Sequence, residues 1–310
     1  MAILELLANG LVFSSIIVLA SIGLSLVYSI ADFANFAHGD TMAVGAYASL
    51  LTFGVLGGIG PTVLALPAGF FIALAVGAAV AALVAVVTHV LVYEPLEVDS
   101  IGLLITSIGV AFVYRAIIQL RFGSNPIEFD IPLQRPIDAL VPLGVRVTVH
   151  DVAIVATAGL LVVGLHVLLQ YTDLGRKMRA TADNPDLARV SGIRTRRVEW
   201  WTWIIGAGLA GVGGGFLGLY NQLSPRMGFD ILLVVFAAVI LGGIGSVYGA
   251  MAGGLLIGVI NQLMPAISDL AVALPLVPNV GPAYADSVAF LIMVAVLLIR
   301  PSGIAGGEST

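Results

Sequence analysis

The chain has 310 residues, of which 59% are hydrophobic and only 10% charged, with no cysteine and a net charge of −5. Soluble domains run at roughly 45–50% apolar and about 25% charged residues, so this composition excludes a water-soluble globule and places the protein in a lipid bilayer. The missing cysteines exclude a disulfide framework, thiol chemistry and cysteine-ligated metal centres, and the acidic balance argues against a nucleic-acid partner.

The first ten residues carry Glu5 and no Lys or Arg. They lack the basic start of a secretory signal, so the first apolar segment is expected to remain in the protein. Apolar segments recur at 11–30, 40–56, 62–92, 101–120, 150–170, 200–220, 230–246, 247–264 and 285–300. A helix crosses the hydrocarbon core with about 20 residues, and the alternating ten-residue segments of a barrel are absent. The prediction is an all-α, polytopic membrane protein of about 8–9 spans, some of them broken or re-entrant, forming one transmembrane domain over 1–310, with an inverted repeat expected to relate 40–56 to 230–246, which begin at or follow polar patches containing Asp40 and Asp230. Pro61 and Pro67 predict a tilted or broken entry into the over-long segment 62–92. The glycines of Leu241-Gly-Gly-Ile-Gly-Ser246 predict a tight reversal or an interrupted helix.

Residues 1–114 hold no basic side chain, whereas Arg176, Lys177, Arg179, Arg189, Arg194, Arg196 and Arg197 crowd one loop. The positive-inside rule therefore puts 171–199 in the cytoplasm. Alternation across the cell membrane then puts the N-terminus and 121–149 outside, and 31–39, 93–100 and the C-terminus on the cytoplasmic side.

In chain order, Asn35 to Asp40 is a polar patch between two apolar segments. Asp40 and His38 would be costly in lipid, so they are expected at the inner water interface or in a cavity. A plain cytoplasmic turn is the alternative. The outer loop 121–149, with Pro126, Pro132, Pro136 and Pro142, should be extended and polar, serving as a connector or a receiving surface for another protein. In 171–199, Asp173 and Asn184 are expected to cap two short helices, with Pro185 in the first turn of the second and Gly192 as its left-handed terminator. The small residues Ala180, Ala182 and Ala188, with Met178, Leu187 and Val190, suit a groove on a partner; a solvated basic loop is the alternative.

Gly206-Ala-Gly208-Leu-Ala-Gly211 formally matches a dinucleotide fingerprint, but no strand precedes it, so helix packing is the better reading. Gly211/Gly215 and Gly214/Gly218 have small-xxx-small spacing and predict close helix contacts. Lys177 is the sole lysine and follows Arg176, so no phosphate-binding Gly-Lys-Ser/Thr loop exists. His38, His89, His150 and His166 are scattered without ligand spacing, so neither a metal nor another cofactor is expected.

Three motifs, Asn35-Phe-Ala-His-Gly-Asp40 followed by Gly45-Ala-Tyr47, Gly175 to Gly192, and Leu241 to Ser246, occur in order over most of the chain. Together they resemble permeases of the branched-chain amino-acid ABC-importer family, in particular the first of its two paired permease subunits. The resemblance implies a core shared with ribose-type sugar permeases and a pathway at a subunit interface. It implies two ATPase subunits, a second homologous permease and an extracytoplasmic substrate-binding protein as partners, with ATP hydrolysis on the partner chains and no catalytic residue here. It makes Gly175, Arg176, Met178, Arg179, Ala180, Asn184, Ala188 and Gly192 the ATPase-coupling candidates. Asn35, Phe36, His38, Gly39, Asp40, Gly242, Gly243 and Gly245 become the translocation-path candidates. Urea and short-amide permeases carry similar motifs and stand as the alternative substrate class. An ion-coupled transporter, a channel or a membrane enzyme fits less well, because charge looks sparse at the span centres and neither a filter nor a catalytic cluster is visible.

Overall fold

The computed structural model describes residues 3–273 and 284–305, with side chains left out over 267–273. The extreme termini, whose sidedness was inferred above, lie outside the described residues. The helices are α1 (Ile3–Ala31), α2 (Ala37–Leu56), α3 (Ala68–Thr88, continued by a wide turn His89–Tyr93), α4 (Ser100–Phe122) and α5 (Val149–Tyr171). After α6 (Asp173–Asp183) and α7 (Pro185–Val190) come α8 (Thr195–Tyr220), α9 (Met227–Gly242), α10 (Val247–Ala273) and α11 (Ala285–Ile299). Among the described residues seven helices are long and apolar enough to span a bilayer, and α9 and α11 are shorter apolar helices. This is the polytopic all-α architecture expected from composition.

Segment 62–92 differs from expectation. Its start is no broken helix but a tiny hairpin, β1 (Thr62–Val63) and β2 (Leu66–Pro67), turned by Leu64 and Ala65 at positive φ, before α3 begins. Both central residues at positive φ make the tight mirror-image turn that hairpins favour. The predicted reversal between the last apolar segments is present, with Gly243 and Gly245 at φ 107° and 83°.

Helix placement follows from which sequences are apolar all round. In its most apolar window α1 is 94% buried, whereas α4 and α5 are only 22% and 28% buried. The first is a central helix, and the other two present Phe112, Leu120, Leu160 and Val163 outward, where lipid or another apolar surface must cover them. Thr148 and Asp151 form a reciprocal cap that starts α5, whose 23 residues run the thickness of the bundle, about 35 Å. The long loop after α4 thus lies at one end and the basic α6–α7 element at the other. The loop is extended, as expected, but pinned. Ile127 pairs with Leu223, and Phe129 is buried on Phe53 and Phe70.

Two helices begin in the middle of the bundle. His38 Nε2 lies 3.0 Å from the Ala20 carbonyl, eleven residues before the end of α1, so α2 starts about 16 Å inside the basic end. A Cβ at Gly39 would strike the Gly228 carbonyl, and a Cβ at Gly228 would strike the Gly39 carbonyl, so α9 starts at the same depth. From there α2 runs to the long-loop end and α9 to the basic end. Gly23 of α1 and Gly206 of α8 meet with the same reciprocity. Helix α1 packs on α10 and α8 packs on α3, the exchange of partners that an inverted repeat of α1–α4 and α8–α11 would give. The expected glycine contacts of α8 hold the bundle together: Gly211 abuts Ala78 and Ala81, Gly214 the Met42 backbone, Gly215 Leu74 and Gly218 Leu223.

Candidate functional site

The basic end carries an ordered α6–α7 element. Its first cap is Thr172, whose hydroxyl accepts the Gly175 N–H at 3.1 Å, and not Asp173, which instead pairs with Arg176 one turn on. A hydroxyl just before the helix competes better for the free amides than a carboxylate already inside the first turn. Asn184 caps α7 as expected, accepting the Leu187 N–H at 2.9 Å, with Pro185 at the first position. Gly192 ends the element at φ 85°. Asn184→Ala should therefore cost α7 about 1 kcal/mol. That appears as amide exchange at Leu187 roughly fivefold faster, with α6 unchanged.

The coupling candidates divide by side. Gly175 touches the Leu168 and Leu169 carbonyls, so it closes the α5–α6 corner, and Arg179 donates to the Leu169 carbonyl. Met178 is 2% exposed and faces the bundle. Ala188 was expected on the docking face; at 3% exposure it is buried within the element, α7 packing against α6 and α8. Ala180 is half-buried and Arg176 exposed. The outward apolar side chains are Leu187 and Val190, 62% and 81% exposed.

The polar patch builds the start of α2. Asn35 Oδ1 accepts the Ala37 N–H at 3.0 Å, the Phe36 N–H donates to Ser107 Oγ at 2.9 Å, and the Phe36 ring rests on Phe236. These contacts satisfy backbone amides that lipid could not. Asp40 and His38 do not meet the inner water interface: both are buried within protein. Asp40 is fully covered and receives both Nε and Nη2 of Arg115, at 3.1 and 2.9 Å. Phe112 and Phe229 flank the guanidinium at 5.4 and 4.9 Å from its carbon. Arg115 was not among the candidates read from the sequence, and its pairing with Asp40 joins two opposite charges in otherwise apolar segments.

The remaining path candidates lie elsewhere. Gly242 packs against Gly249, and Ile304 and Ala305 donate to the Leu241 and Gly242 carbonyls at 3.0 and 2.9 Å. Gly303 covers Gly243. Gly245 lines a cavity of about 300 Å³ at the basic end with Met178, Arg179 and Tyr248. The histidines are dispersed: His89 stacks on Trp203, and His166 bonds the Tyr248 hydroxyl at 2.8 Å.

This geometry coincides with a sequence likeness over nearly the whole chain. The family model for the permease component of branched-chain amino acid transport systems matches residues 6–297. The high-affinity branched-chain amino acid transport system permease protein LivH of Salmonella typhimurium is 31% identical, covering 98% of this chain and 95% of its own length. BraD of Pseudomonas aeruginosa, a permease protein of the same description, is 31% identical over the same shares. The probable LivH of Methanocaldococcus jannaschii is 31% identical over 97% and 92%. The ribose import permease RbsC of Bacillus subtilis matches more locally, at 32% identity over 32% of this chain and 33% of its own. The chain belongs to the branched-chain amino acid permease family.

Proposed function

We propose that this permease translocates branched-chain and other neutral amino acids inward by alternating access, driven by two ATPase subunits on the cytoplasmic side. A second homologous permease completes the pathway, and an extracytoplasmic receptor delivers the solute. The observation that carries the reading is the full-length likeness to permease proteins of branched-chain amino acid systems, together with an ordered α6–α7 element that turns Leu187 and Val190 outward. Two apolar side chains held on a capped, rigid element suit a partner groove better than water. A permease needs only two conformations and a bias between them. Helices α2 and α9 meet end to end at mid-depth, and so supply a place where the two halves can rock.

Asp40 is held bidentately by Arg115, which argues against Asp40 as the coupling acid of an ion-driven mechanism. Transport of urea or a short amide is the competing substrate reading. Leucine uptake in cells lacking their own systems separates the two: excess isoleucine should abolish it and excess urea should not. Competition by urea alone would transfer the assignment to amides. For sidedness, cysteines at the exposed positions Ser191 and Ser124 should react oppositely with an impermeant reagent in intact cells, Ser124→Cys being labelled and Ser191→Cys protected. The reverse pattern would invert the topology.

A further inference from the structure

Arg115 spends only part of its hydrogen-bonding capacity on Asp40. A guanidinium has five N–H donors, and Nε with one Nη faces the carboxylate. Its other Nη donors have no protein partner among the described residues, and the same side chain forms a wall of a cavity of about 760 Å³. The cavity lies between α4 and the segment that leads into α9. Ser124, just beyond α4, is at its long-loop mouth, and Arg115 is seven residues below the end of that helix, about 10 Å deeper. Asp230 belongs to the lining, is exposed there, and takes part in no ion pair among the described residues. The volume is that of a small-molecule site.

The charges in this cavity have a definite sum. Asp40 already balances Arg115, and the two other ionised groups of the lining, Arg226 and Asp230, cancel. The lining therefore suits a solute with no net charge but two opposite poles. Phe112 and Ala116 supply apolar wall beside them. The flanking Phe112 and Phe229 rings restrict the guanidinium, so its free edge keeps a fixed direction.

We infer that this cavity is a zwitterion site, in which the free edge of Arg115 binds the carboxylate of an α-amino acid, Asp230 binds its ammonium, and its side chain lies against Phe112 and Ala116. The inference rests on the proposed amino-acid transport and specifies where in this chain the solute is held. A solute without a carboxylate leaves the outer Nη donors of Arg115 without an acceptor, one without an ammonium leaves Asp230 without a counter-charge, and each is rejected for that reason. Asp230 is the telling residue, because it has no part in the Arg115–Asp40 pair.

The chain has no cysteine of its own, so Ala116→Cys gives a single reporter on the cavity wall. The whole importer, with this variant, is embedded in vesicles, and modification of the chain by an impermeant thiol reagent is followed by mass spectrometry, with receptor omitted so that docking cannot shield the cavity. L-leucine should slow the reaction several-fold. The single-charge analogues 4-methylpentanoate and 3-methylbutylamine should not, and adding Asp230→Asn should remove the leucine effect. Ser124→Cys at the mouth serves as a second reporter should Ala116→Cys fail to assemble. Leucine uptake is measured with receptor in the same vesicles. Uptake without protection at either reporter rejects this site and leaves the transport reading intact. Protection without uptake keeps the site and rejects leucine as the transported solute. Equal protection by either analogue, or protection that survives Asp230→Asn, overturns the two-pole clamp.

Discussion

Gly39→Val should abolish recovery of the folded chain. The new side chain has to enter the space held by the Gly228 carbonyl, and its Cβ would also lie 2.9 Å from Leu232 Cβ. Overpacked side chains typically cost 1–3 kcal/mol when a neighbour can yield by changing rotamer. Here the obstacle is backbone at the start of a second helix, so α2 and α9 have to separate, and the Arg115–Asp40 pair one residue away opens with them. Removing the partner of a buried charge is worth about 3–5 kcal/mol by itself. Gly54, in the same helix, has nothing within 4 Å of a Cβ. Gly54→Ala should leave recovery unchanged or slightly raise thermal stability, since alanine is the better helix former by about 1 kcal/mol. Size-exclusion profiles and melting curves of both variants in detergent check the pair. A monodisperse Gly39→Val protein with a normal Tm would refute the mid-depth crossing.

Leu187→Asp combined with Val190→Asp should yield a chain that inserts and melts normally but neither co-purifies with its ATPases nor supports uptake. Both side chains point away from the bundle, so their replacement removes no internal packing. Buried interface anchors contribute at least about 2 kcal/mol each, and two charges placed in an apolar groove add desolvation, so affinity should fall by more than about 100-fold. If α6–α7 is only a solvated loop, both recovery and uptake stay normal. Ala188→Arg is a different experiment. Ala188 is buried, so that change disrupts the element itself and reports on folding, not docking.

What could be read from the sequence was whatever depends on local runs. Apolar stretches marked the spans, because a bilayer demands length and little else, and Asn184, Pro185 and Gly192 marked α7, because caps and terminators are local chemistry. Choices decided by a neighbour were harder. Asp173 and Thr172 are adjacent, and only the hydrogen-bond geometry separates the cap from the residue inside the turn. Ala188 looked like an interface residue because small residues suit a groove and a tight internal contact equally well. Asp40 and Arg115 lie 75 residues apart, and neither span has a periodicity that announces the other. The depth at which α2 and α9 start was harder to read, since a helix that begins inside the bundle and one that begins at its end have the same apolar signature. The near-match of Asp40 and Asp230 in the first turns of those helices was the one trace of the repeat in the sequence.

The energy source is the central claim, and it is tested by leucine uptake into vesicles that contain this permease with its partner permease, ATPases and receptor. With ATP available to the ATPases and no ion gradient, uptake should proceed, and it should stop when the ATP is replaced by a non-hydrolysable analogue. Uptake driven by a proton or sodium gradient in the absence of ATP would contradict the account.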